Sequence, residues 1–158
     1  MVLVAVGGTL YQPAAALTPG VAAWDEAEAR RRFAASPVAR LATVTPSGAP
    51  HVVAVTFALD GDTLWWAVDA KPKRTLALQR LANIAAEPRV SLLVDHYEDD
   101  WRSLWWVRAD GQARTALPDD EPAALELLRA RYPAYRTAPP PGPIIAVDVH
   151  RVTWWSAS

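Results

Sequence analysis

Apolar positions along this chain recur in two rhythms, and their alternation lays out the elements. Residues 38–45, VARLATVT, set Val38, Arg40, Ala42 and Val44 against Ala39, Leu41, Thr43 and Thr45, the period of two expected of a strand. After a PSGAP turn, HVVAVTFAL (51–59) reads as a second strand. DGD at 60–62 signals a hairpin into a third, TLWWAVD (63–69). RVSLLVDHY (89–97) predicts the next strand. An acidic EDD loop separates it from WRSLWWVRADGQARTAL (101–117), a long strand or bulged pair. The final strand, 144–156, alternates through Val147, Val149 and Arg151.

Three segments carry helical spacing instead. DEAEARRRFAA (25–35) opens on Asp25 as cap, is acidic early and basic late, and stops at Ser36–Pro37. RTLALQRLANIAAEP (74–88) places Leu78, Leu81, Ala82 and Ala85 on one face and ends at Pro88. PDDEPAALELLRARY (118–132) starts with Asp119 or Asp120 before Glu121–Pro122, an expected helix opening. TAPPPGP (137–143) reads as a rigid linker. Hairpins joined by only a few helices favour a mainly antiparallel β-barrel over a doubly wound parallel sheet.

Residues 1–23, rich in Ala, Pro and Gly, read as a flexible N-terminal extension, leaving 24–158 as one domain. The extension lacks the basic start of a signal peptide, and no stretch approaches the ~20 apolar residues of a membrane helix. With no cysteine in the chain, a reducing, cytoplasmic setting is expected, and thiolate metal sites and cysteine nucleophiles are excluded. A net charge of −1 offers no broad field for a nucleic-acid backbone, so any anion must be held by a local cluster.

Several chemistries find no support. His51, His96 and His150 lack metal-binding spacing, and DHYEDD (95–100) reads as a solvated acidic loop more readily than as a metal site. There is no GxSxG elbow, and Gly7-Gly8-Thr9 falls short of a phosphate loop. No acid–base residue is assigned.

Tryptophan and lysine say more. Six of the eight tryptophans form adjacent pairs, Trp65–Trp66, Trp105–Trp106 and Trp154–Trp155. Neighbours on a strand point to opposite faces, so each pair should send one indole inward and one outward. Several outward indoles together predict a subunit interface or a planar-ligand site. Of sixteen basic residues only Lys71 and Lys73 are lysine, and both stand beside Pro72 and Arg74. This stiff cationic loop precedes a predicted helix start, whose free amides favour anions by about 0.3–1 kcal/mol per charge. A phosphate site at Lys71, Lys73 and Arg74 is therefore expected, with Arg80 about two turns along the helix reaching the same anion.

The stretches ARLATVTPSGAPHVVAVTFALDGD, KPKRTLALQRLANIAAEPRVSLLVDHYEDDW, LWWVRADGQA and the terminal VTWW, in this order and spacing, resemble the pyridoxamine-phosphate-oxidase-like split barrels. The branch most similar is that of actinobacterial deazaflavin (coenzyme F420)-dependent oxidoreductases, over about residues 24 to 158. The resemblance implies a six-stranded antiparallel split β-barrel with flanking helices. It also implies a homodimer with a flavin-type cofactor in each of two clefts at the interface. Carried over by position, Val53, Ala54 and Val55 would touch the cofactor ring through their backbone, and Trp66 and Ala67 would flank it. The basic pair for the phosphate would fall at Lys71, Lys73 and Arg74, or nearer Gln79 and Arg80. The partner subunit would contribute through the region of Trp106, and the C-terminal aromatic would be Trp154 or Trp155.

Two positions depart from the oxidases: Val53 stands where they carry an arginine, and Trp106 where they carry a polar residue. Vitamin B6 oxidation is thus disfavoured against a wider, more apolar cleft. The function implied is hydride transfer from reduced F420 to a small unsaturated or carbonyl substrate. The alternatives are an FMN enzyme of the same fold and a non-catalytic carrier of a flavin or haem-type ligand.

Overall fold

The structure, a computed structural model, describes residues 24–68 and 78–157, together with the backbone of a two-residue strand pair near the N-terminus. That pair is β1 (Ala5–Val6) against β2 (Thr9–Leu10), antiparallel. Lys71, Lys73 and Arg74 lie outside the described residues, as does most of the predicted N-terminal extension.

Helix α1 (Glu26–Ala35) forms where capping and charge predict it. The Asp25 carboxylate accepts from the Glu28 N–H at 2.8 Å, and Arg30 and Arg32 pair with Glu26 and Glu28 one turn back. Its apolar side, Ala29 and Phe33, is buried against the sheet.

The strands β3 (Ala39–Val44), β4 (Pro50–Val55), β5 (Ala58–Asp60), β6 (Thr63–Ala67), β7 (Arg89–His96), β8 (Trp105–Thr115) and β9 (Ile144–Ser156) make one seven-stranded antiparallel sheet. Its order is β4-β3-β7-β8-β9-β6-β5. The edge strands β4 and β5 are consecutive in the chain, separated only by Thr56 and Phe57. Two residues can bridge no more than about 11 Å from Val55 to Ala58, so the two ends of the sheet meet at this corner. A sheet so constrained must curl into a barrel with an open seam.

The seam is where expectation and structure differ. The single strand predicted over 51–59 breaks at Thr56–Phe57, and six predicted strands become seven. The Tyr132 hydroxyl accepts from the Phe57 N–H at 3.0 Å and lies 2.8 Å from the Phe57 carbonyl and 2.9 Å from the Pro37 carbonyl. The Tyr135 hydroxyl meets Thr56 Oγ1 at 2.8 Å. Tyr132, 75 residues from Phe57, satisfies backbone groups that a ladder would otherwise use, and Tyr135, 79 residues from Thr56, holds the Thr56 side chain.

Inside the barrel, Leu41, Phe57, Leu64, Trp66, Leu92, Val107, Ile145 and Val147 form the main core with Phe33 of α1. A second core lies outside it, where Trp65, Ala67, Ile144 and Ala146 are covered by Ala124 and Leu128 of α3 (Glu121–Arg131) and by Tyr135 of the short α4 (Ala134–Thr137). Trp65 and Trp66 are therefore both buried, against the expectation of one exposed indole per pair. The register of β8 against β9 shifts between Asp110 and Gly111. A Cβ at Gly111 would stand 2.6 Å from the Asp148 carbonyl oxygen, so only glycine fits that crossing.

Candidate functional site

Strand β4 is an edge of the sheet, with β3 on one side and no strand on the other. Its backbone polar groups along that side are open to another molecule. His51, Val53 and Val55 alternate inward and grow more buried towards the seam, while Val52 and Ala54 face out and are exposed. Val53, Ala54 and Val55 thus occupy one continuous open edge.

Helix α2 (Gln79–Ala86) abuts the same region through β3. Among the described residues it begins at Gln79, with Leu78 in extended conformation as its N-cap and making no side-chain cap bond; the first residues of the predicted helix, 74–77, lie outside the described residues. Arg80 consequently sits in the first turn, where it was expected two turns on. Its guanidinium carbon lies 5.2 Å from the centroid of the Trp66 ring. The buried side of α2 also differs from expectation. Asn83 and Ile84 point inward and Ala82 and Ala85 outward, because Asn83 finds Thr43 Oγ1 at 2.9 Å.

Trp66 is fully buried, and its Nε1–H is among the buried polar atoms with no hydrogen-bond partner. An orphaned buried donor costs about 1–3 kcal/mol and is uncommon. Here the ring lies beneath the Arg80 guanidinium in the first turn of α2. Ala67, next in the strand, is buried beneath α3.

Trp106 and Trp155 lie elsewhere. They are cross-strand partners on the outer face of β8 and β9, opposite to the inward Trp66. Trp155 is 42% exposed, and on the same outer face of β3 and β4 stand Val44 at 39% and Val52 at 60%. Arg40–Asp95 (3.3 Å) and Arg108–Asp110 (3.0 Å) pair their charges across this face, leaving it largely neutral. Within one chain, Arg80 and Trp66 therefore share no cleft with Trp106 and Trp155.

Trp24, Trp105 and Trp154 gather against the core, while Trp101 is exposed. Trp24 and Trp105 stand 5.5 Å apart, Arg32 caps the Trp24 ring at 4.0 Å, and Trp154 Nε1 donates to the Trp24 carbonyl at 3.1 Å. Pairing in sequence had signalled these residues, but nothing had signalled Trp24 as their hub. Two hollows occupy other ground: about 410 Å³ between α3 and Pro140–Gly142, and about 330 Å³ on the outer face around Ser91, Asp110 and His150. Neither includes Val53, Trp66 or Arg80.

Glu87, at the end of α2, has its carboxyl held down to about 2 by hydrogen bonds from the Arg89 side chain first and its backbone N–H second. In the acidic loop, hydrogen bonds from Ser103 and then His96 hold Glu98 below the ordinary carboxylate range. Among the described residues no three histidine or acidic side chains gather to hold a metal ion, and no helix is long and apolar enough to cross a membrane.

A family described as pyridoxamine 5'-phosphate oxidase matches residues 25–156. No curated protein matches the chain. A conserved hypothetical protein from Mycobacterium tuberculosis superposes with a TM-score of 0.67 at 23% identity, covering 85% of this chain and 86% of that one. A heme binding protein from Mycobacterium smegmatis gives 0.67 at 25% identity over 80% of this chain, which spans 52% of that protein. An F420 reductase gives 0.58 at 28% identity, covering 78% of this chain and 94% of the other.

Proposed function

The chain belongs to the pyridoxamine 5'-phosphate oxidase family, and on that premise we propose that it is a reductase using deazaflavin coenzyme F420. The reduced cofactor supplies the hydride that passes to a small unsaturated or carbonyl acceptor. The observation that carries this reading is Arg80 in the first turn of α2, its guanidinium 5.2 Å from the Trp66 ring, on a helix packed against β3, the strand that pairs with the edge strand β4. Arg80, with Lys71, Lys73 and Arg74, binds the anionic arm through charge-assisted hydrogen bonds. The backbone of Val53–Val55 orients the ring, and Val53 leaves room where an arginine would hold a phosphorylated vitamin. The 28% identity with an F420 reductase over 94% of its length supports the choice of cofactor.

The working unit is a homodimer. Its interface is the outer face bearing Val44, Val52 and Trp155, and a second copy supplies Trp106 and Trp155 to the cleft that one chain leaves incomplete. FMN, whose phosphate suits the same cations, is the competing cofactor. A non-catalytic haem carrier is favoured only by the 25% identity with a heme binding protein.

Titration of the purified protein with F420, FMN and haemin side by side tests the reading. Preferred binding of F420, followed by its oxidation in the presence of an acceptor panel, is expected. Tight haemin binding without turnover would select the carrier. Replacing Lys73 and Arg74 together by alanine should weaken F420 affinity by about 10-fold or more while leaving thermal unfolding of the cofactor-free protein unchanged.

A further inference from the structure

Four polar side chains run in file from α2 to β4. Gln79 Nε2 donates to Asn83 Oδ1 at 2.8 Å, and Asn83 Nδ2 donates to Thr43 Oγ1 at 2.9 Å. Thr43 Oγ1 in turn lies 3.3 Å from His51 Nδ1. Asn83 is 0% exposed and Thr43 2%, the buried polar residues among those described.

Stability alone does not call for them. Leucine and valine would fill the same two volumes, and exchanging a buried hydrogen-bonded pair for apolar groups of like shape is often neutral. An apolar contact, however, tolerates sliding and rotation. A directed amide–hydroxyl bond fixes both the depth and the rotation of α2 against β3. The residues held by that registration are Arg80, next to Gln79 in the first turn, and His51, two positions before Val53 on the inward side of β4.

We infer that Gln79, Asn83, Thr43 and His51 form a positioning chain that registers the helix start bearing Arg80 against the strand edge bearing Val53–Val55. The inference rests on the cofactor cleft proposed above and adds residues that need not touch the cofactor. The Thr43 hydroxyl also has a choice of acceptor, His51 Nδ1 at 3.3 Å or the His51 carbonyl at 3.4 Å. Turned to the ring, it leaves the imidazole proton on Nε2. Turned to the carbonyl, it accepts from Nδ1–H and leaves Nε2 bare. One hydroxyl rotor therefore sets the tautomer of His51 without displacing a heavy atom.

The test uses full-length protein carrying Thr43→Val with Asn83→Leu, each single change, and Thr43→Ser. Thermal unfolding without cofactor, titration with F420 and with FMN, and the ring ¹⁵N signals of His51 are measured for each. The double variant is expected to unfold within about 3 °C of the parent, yet to bind F420 about tenfold more weakly through misregistered walls. Thr43→Val should move the His51 ¹⁵N signals and Thr43→Ser should restore them. If the double variant fails to fold, the Thr43→Val and Thr43→Ser pair makes the same comparison.

Parental affinity with unmoved His51 signals overturns the inference. So does a loss of affinity that merely tracks a loss of thermal stability across all variants. A parent protein binding neither F420 nor FMN overturns the cofactor reading instead. The positioning chain is then judged on the His51 signals, and unmoved signals in Thr43→Val end it.

Discussion

The outer face of the barrel is two surfaces built to one pattern and finished differently. Around β5 and β6 the outward residues Ala58, Trp65 and Ala67 are sealed by α3 and Tyr135. Around β4, β3 and the far end of β9 the outward residues Val52, Val44 and Trp155 stay exposed. Strand alternation sends apolar side chains outward in both places. Where the chain supplies its own cover, an indole becomes core. Where the surface stays open, charges pair on it and apolar side chains remain between them.

Mutations can break this contrast. Trp65→Ala should cost about 3–5 kcal/mol in chemical denaturation, because it empties a covered site. A cost near that of an exposed residue would mean that α3 does not seal this side. Tyr132→Phe removes the hydroxyl that serves Phe57 at the seam and should cost about 1–3 kcal/mol by the same measurement. Val52→Asp on the open surface should hardly change unfolding of the single chain, but should weaken self-association by about 10-fold or more in sedimentation equilibrium. A parent protein that sediments as a monomer at micromolar concentration would remove the second copy from the cleft.

The smallest effect belongs to Glu87. With its folded carboxyl held near 2, below the ordinary 4.5, it stabilises the fold above about pH 4.5 and loses that contribution as pH falls towards 2. Glu87→Gln should therefore differ slightly from the parent at neutral pH and converge with it in acid, as followed by denaturant melts across that range. The pair is solvent-exposed, so the difference is small.

Much of the fold was legible because it is written in local terms. The Asp25 cap, the turn before β4, the alternation of β3 and β7 and the opening of α3 depend on residues within a few positions of one another, whereas the bulge opposite Gly111 turns Arg151 to the face away from Val147 and Val149, against the expected alternation. The break at Thr56–Phe57 was not legible, since the tyrosines responsible lie far along the chain. The inward turn of Asn83 escaped for the same reason: its partner Thr43 sits on another element, and periodicity sees only an asparagine among alanines. Of the candidate site, residue types and rough positions could be read. That Arg80 lies in the first turn of α2 and stands over Trp66 depends on the extended Leu78 before it, which helical spacing does not signal.

By itself the sequence determined that the chain would make antiparallel strands with apolar inner faces and a local store of cations, because these follow from side-chain period and composition. Only the tertiary structure decided which outward indole would be covered, where the second strand would break and which helix turn would carry its arginine to an indole. Those outcomes turn on polar groups finding partners across the barrel, and such partnerships exist only once distant segments have been brought together.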